Sequence, residues 1–134
     1  MPTRSRLVAL VLAAALVSAP GHAATTAAAA AAKTKHDLVV TGEEVGGEGT
    51  NKFRIYGTVA TFKGRKLTIQ VKANHGDWEF WKKTATAAED GAFSERIYGG
   101  KAGSKVCYKV VVPSTKRYRT TKKRAACITT DPAS

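Results

Sequence analysis

The sequence predicts an all-β protein: a seven-stranded antiparallel β-sandwich preceded by a secretory signal peptide and an alanine-rich leader. Three observations carry that expectation. From Lys33 onward the large apolar residues are 9 Val, 4 Ile and 10 aromatics against 2 Leu and no Met, a mixture that suits pleated strands better than amphipathic helices. Short runs of these residues are separated by Gly, Asn, Asp and Pro at the spacing of a small sandwich. The first 32 of the 134 residues also hold 21 apolar side chains. About 100 residues are then left to fold, enough for one small domain and too few for a Rossmann unit or a barrel enzyme.

Residues 1–23 have the three parts of a secretory signal: Arg4 and Arg6, an apolar run from Leu7 to Val17, and a small-residue stretch ending at Ala23. The apolar run is about 11 residues long where a spanning helix needs about 20, so cleavage and release are expected, with no stable membrane insertion and a secreted, extracellular product. Residues 24–35, with six consecutive alanines from Ala27 to Ala32, read as a low-complexity leader outside the fold. The sandwich is expected over residues 36–130, followed by a short tail at 131–134.

The first strand is expected at His36 to Thr41, followed by a long loop from Gly42 to Thr50 that is too Gly-rich and acidic for a strand. Phe53 to Thr61 buries Phe53, Ile55, Gly57 and Val59, with Arg54 and Thr58 outward, and Lys63-Gly64-Arg65 forms a hairpin turn. In Lys66 to Asn74 the alternation is clearest: Leu67, Ile69, Val71 and Ala73 face one way, Thr68, Gln70 and Lys72 the other. A second turn, Asn74 to Asp77, leads into Trp78 to Thr86. Trp78, Phe80 and Trp81 cannot all point inward on one straight strand, so either Trp81 or the Trp78–Phe80 pair lies nearer solvent. Trp81, beside Lys82 and Lys83, is the candidate for stacking on a sugar ring. In Ala92 to Tyr98, placing Phe93 and Ile97 inside also turns Glu95 inward, a conflict that a bulge or an edge position resolves.

The last two strands, Ser104 to Pro113 and Thr121 to Thr130, are expected to form a hairpin centred on Arg117. Cys107 then faces Cys127, and these two cysteines have only one intramolecular pairing. Val106, Tyr108, Val110 and Val112 form the core face, which puts the disulfide on the outer face beside Lys105 and Lys109, with Lys123 opposite Val111.

Lys plus Arg is 22 against 10 Asp plus Glu, a net charge of +12. Lys101, Lys105, Lys109, Lys116, Arg117, Arg119, Lys122, Lys123 and Arg124 fall in a stretch with no acid, whereas residues 24–100 hold 11 basic and 9 acidic side chains. Clustered cations raise the local potential over about the 8 Å Debye length, so these nine are the candidate anion-binding set. The expected partner is an anionic polymer or cell-envelope component. Nucleic acid is expected to bind only non-specifically, through charge. The loop Ser114 to Thr120 is long enough to project toward a protein partner, as an adhesin or inhibitor would use it.

No catalytic set is expected. The serines lack a nucleophile-elbow context, no phosphate-cradling glycine loop is present, and Glu43 and Glu44 are adjacent instead of opposed across a cleft. His75 and Asp77 could supply two metal ligands, but no third is spaced to complete a site; no cofactor and no metal are expected.

The segment Lys52 to Pro113, through Phe53-Arg54-Ile55-Tyr56-Gly57-Thr58-Val59, Leu67-Thr68-Ile69-Gln70, Trp78 to Trp81, Gly91-Ala92-Phe93 and Val110-Val111-Val112-Pro113, resembles the immunoglobulin-like or fibronectin type III-like modules of exported bacterial proteins. The resemblance implies a sandwich used for adhesion, spacing or ligand display. It departs from the antibody pattern, since Cys107 and Cys127 staple one hairpin and no Tyr stands two residues before Cys107.

Overall fold

Alternating β-branched residues set the layout, because each strand turns one row of side chains toward a shared interior. The computed structural model describes residues 32–132; the predicted signal, the leader up to residue 31 and the last two residues of the tail lie outside the described residues. The strands are β1 (Thr34–Lys35), β2 (Leu38–Glu44), β3 (Phe53–Val59), β4 (Lys66–Ala73), β5 (Glu79–Ala85), β6 (Ala92–Ile97), β7 (Lys105–Val112), β8 (Tyr118–Arg119) and β9 (Thr121–Thr129). One antiparallel sheet has the order β9-β7-β4-β5 and another β2-β3-β6, while β1 and β8 form a two-residue parallel pair. The all-β expectation holds. Among the described residues the strands number nine and not seven, because Thr34–Lys35 and Tyr118–Arg119 also pair.

Inward residues of both larger sheets form a single buried cluster, in which Leu38, Ile55, Val59 and Ile97 meet Leu67, Ile69, Val110 and Val112. Three expectations change. The chain does not turn back on itself at Lys63-Gly64-Arg65: β3 and β4 belong to different sheets, and a 3₁₀ turn at Ala60–Phe62 carries the chain between them. Each of the two strands has one apolar face, and opposing sheets bury both faces against each other. Strand β2 also runs on through Gly42, Glu43 and Glu44, where a loop was expected. Gly42 serves a close approach, since a methyl group there would meet the Ala126 side chain of β9, and the two acids are used locally, Glu43 by Arg54 and Glu44 by the Asn51 amide. The turn at Asn74 to Asp77 does join a hairpin, β4 to β5.

The third change is one of register. Cys127 faces Cys107 as expected and the disulfide is formed, with Cα atoms 4.0 Å apart. Ala125 is an extra residue in β9, however, and beyond it the pairing slips by one, so that Arg124 faces Lys109, Lys122 faces Val111 and Lys123 faces Val110. Lys123 therefore does not lie opposite Val111. A disulfide of this kind persists outside the reducing cytosol. Among the described residues no helix is long and apolar enough to cross a membrane.

Candidate functional site

The slipped register builds a cationic surface on the outer face of the four-stranded sheet. Strand parity puts Cys107, Lys109 and Val111 of β7 outward, and the bulge sets Arg124 and Lys122 beside the last two. On the other side of β7, β4 presents Gln70 opposite Lys109 and Lys72 opposite Cys107. Without the bulge, with Ala125 paired opposite Lys109, continuous pairing from the disulfide would put Lys122 and Arg124 on the core-facing row of β9 and Lys123 on the outer one.

Trp78 and Phe80 complete this face. Phe80 lies opposite Gln70 and is 63% exposed. The Lys109 ammonium sits 4.5 Å from the centre of the Trp78 ring and that of Lys72 5.5 Å from it, both within cation–π range. Burial lowers the pKa of Lys109 from its ordinary value, and the charges of Lys122, Lys72 and Arg124 lower it further. Among the described residues the ion pairs are Arg54–Glu43 and Lys82–Glu95, so none of these four cations has a carboxylate partner. The arrangement is a half-apolar platform ringed by positive charge whose mutual repulsion an anion would relieve.

The nine cations singled out in the sequence are not gathered on one face. Lys109, Lys122 and Arg124 share the platform, with Lys105 further along the same row of β7, opposite Thr129. Lys123 pairs on the core-facing row and reaches solvent from the edge strand. Lys101 lies in the turn before β7, while Lys116 and Arg117 follow β7 at its other end, and Arg119 pairs in β8 with Lys35. The Ser114 to Thr120 loop does not project freely. Thr115 and Tyr118 hydrogen-bond to one another, Tyr118 stacks on His36 at 5.1 Å, and Lys33 donates to the Thr115 carbonyl at 2.8 Å.

Trp81 is not an exposed sugar platform. It occupies a bulge in β5, where the pairing steps from Ile69–Lys82 to Gln70–Phe80, and its half-buried ring packs edge-on against Tyr108 at 5.1 Å. Of the two arrangements open to the sequence, the Trp78–Phe80 pair is the one on the outer face. Local pattern does not join Lys72 and Trp78 to the hairpin cations, because Cys107 beside Lys72 and Lys109 over Trp78 belong to β7, more than twenty-five residues away along the chain. Alternation alone did mark Lys72 and Gln70 as outward. Compared with protein-family models, curated proteins and solved structures, the chain has no significant match.

Proposed function

We propose that this chain is an exported, non-catalytic module of immunoglobulin-like sandwich type that binds anionic envelope or extracellular polymer through the outer face of its four-stranded sheet. The observation that supports this reading is the gathering of Lys72, Lys122 and Arg124 around Lys109, with Lys72 and Lys109 against the Trp78 ring and, among the described residues, no carboxylate paired with any of the four. A polyanion supplies the missing counter-charge along its length, and the rings offer apolar contact to its backbone. The binding surface is narrower than the whole basic hairpin and includes Lys72 from outside it.

Retention on an immobilised acidic polysaccharide tests the reading. Reversing Lys109, Lys122 and Arg124 to Glu removes the platform, whereas reversing Lys101, Arg119 and Lys123 changes net charge equally and leaves it intact. The first triple variant is expected to lose retention at ~150 mM salt, where screening already weakens long-range attraction, and the second to keep most of it. Equal loss in both would reduce the interaction to net charge and end the proposal.

A further inference from the structure

A second concentration of positive charge lies at the end of β7, sharing no residue with the sheet platform. A cleft of about 580 Å³ is bounded on one wall by the segment from Ala60 to Arg65 and on the other by Thr115 to Tyr118. Its walls carry Lys63, Arg65, Lys116 and Arg117; the Asp37 carboxylate accepts from the amide and hydroxyl of Thr61 on the first wall, but among the described residues no carboxylate is part of the lining and none of these four cations is in an ion pair.

Both walls are braced. The Thr86 hydroxyl donates to the Phe62 carbonyl at 2.6 Å, the Arg65 amide donates to the Thr86 hydroxyl at 3.0 Å, and the Thr86 amide donates to the Arg65 carbonyl at 2.8 Å. Opposite, the Thr115 amide donates to the Tyr118 carbonyl at 2.8 Å and the Tyr118 amide returns a bond to the Thr115 hydroxyl at 3.1 Å. Buried His36 ties the walls together: its ring stacks on Tyr118 and meets Phe62 edge-on at 5.5 Å. Its Nε2 carries a proton, because its partner at 2.9 Å, the Pro113 carbonyl, only accepts. The backbone beneath the four cations is thus set before any ligand arrives, which lowers the ordering cost of binding.

We infer that this cleft is a binding site for a phosphate monoester carried on a sugar or polyol. A cleft lined by one sign of charge focuses its field inward, and two guanidinium forks match phosphate oxygens in pairs. A monoester has a charge of about −1.5 to −2 near neutral pH, which four cations accommodate better than the single charge of a carboxylate, sulfate ester or phosphodiester. The volume falls within the roughly 300–1,000 Å³ of small-molecule sites, room for a carrier as well as its phosphate. Half-buried Tyr118 gives that carrier an apolar contact.

Amide chemical shifts of the folded domain, followed while glycerol 3-phosphate is added, test this. Saturable shifts are expected at residues 61–65 and 115–118, with glycerol, sulfate, glucuronate and the diester glycerophosphocholine binding at least tenfold more weakly. The affinity should fall below about pH 6, as the monoester takes up its second proton. Arg65→Gln with Arg117→Gln should weaken binding at least tenfold while leaving the ligand-free spectrum unchanged away from the cleft; Lys63→Gln with Lys116→Gln provides a second variant should the first fail to fold. A glycerol phosphate oligomer with and without its terminal monoester separates the sources: tighter binding of the monoester-bearing chain than of the free ester assigns the site to a polymer end, the reverse to a soluble ester. Non-saturating shifts, equal binding of sulfate or diester, or shifts confined to Lys72, Lys109, Lys122 and Arg124 overturn the cleft. The last of these outcomes leaves the sheet platform standing, just as loss of the platform leaves the cleft testable.

Discussion

Glu95 lies on the inward row of an edge strand between Phe93 and Ile97, and the opposing sheet meets it with the Lys82 ammonium at 2.8 Å and the Thr84 hydroxyl at 2.7 Å. Burial pushes its carboxyl up, but the hydrogen bonds from Lys82 and Thr84, with the lysine's charge and the Arg96 amide, outweigh this and hold it below the ordinary glutamate value. A carboxylate with a depressed folded pKa stabilises the protein fully above its unfolded pKa of about 4.3 and loses that contribution as pH falls through the folded value. Glu95→Gln is therefore expected to cost about 1–2 kcal/mol at pH 7, the order of a charge-assisted hydrogen bond, and progressively less toward pH 3. Urea unfolding at a series of pH values measures this; an undiminished difference at pH 3 would show that the carboxylate's charge is not what the site uses. Alternation exposed the Glu95 conflict and named an edge position as one resolution. It could not supply the partner, because Lys82 is thirteen residues away in the other sheet.

Element by element, parity located the faces while the bulges decided which residues occupy them. In β5 the bulge at Trp81 lets one aromatic enter the core while Phe80 stays outside, a choice that a straight strand leaves open. In β9 the bulge at Ala125 exchanges Lys123 for Lys122 and Arg124 on the outer row. Arg124 then faces Lys109, and like charges directly opposite destabilise a ladder. The Cys107–Cys127 link fastens these strands just below the bulge, closing a sequence separation of 20 residues. Replacing both cysteines with alanine is expected to cost about 3 kcal/mol by releasing that loop in the unfolded chain. For a domain of this size that lowers Tm by more than about 10 °C. Thermal melts of the variant and of the reduced wild type measure it, and a drop of under about 3 °C in both would mean that the sheet contacts alone set the hairpin's stability.

Across the whole molecule, uncompensated positive charge opposes folding and favours anions. The folded pKa of Lys109 lies below its ordinary value, so its charged form disfavours the folded state at neutral pH, and stability is gained as pH rises through the folded value toward the unfolded one. Screening acts in the same direction. For a chain with a net charge of +12, raising salt from about 10 to 150 mM shortens the Debye length from about 30 to 8 Å, and Tm is expected to rise by about 2–5 °C. Lys109→Gln should reduce that rise; a Tm that falls with salt would indicate that attractive pairs dominate instead. The sequence by itself determined the all-β class, the faces of most strands, the pairing of the cysteines and the concentration of basic residues late in the chain, because alternation, composition and a single possible disulfide are local or countable. Only the tertiary structure decided which cations lie together. The order β9-β7-β4-β5 brings Lys72 beside the hairpin, two one-residue bulges select the outward side chains, and the crossing at Ala60–Phe62 sets Lys63 and Arg65 against Lys116 and Arg117. Sheet order and bulges are settled by packing between segments far apart in the chain, which no local pattern encodes.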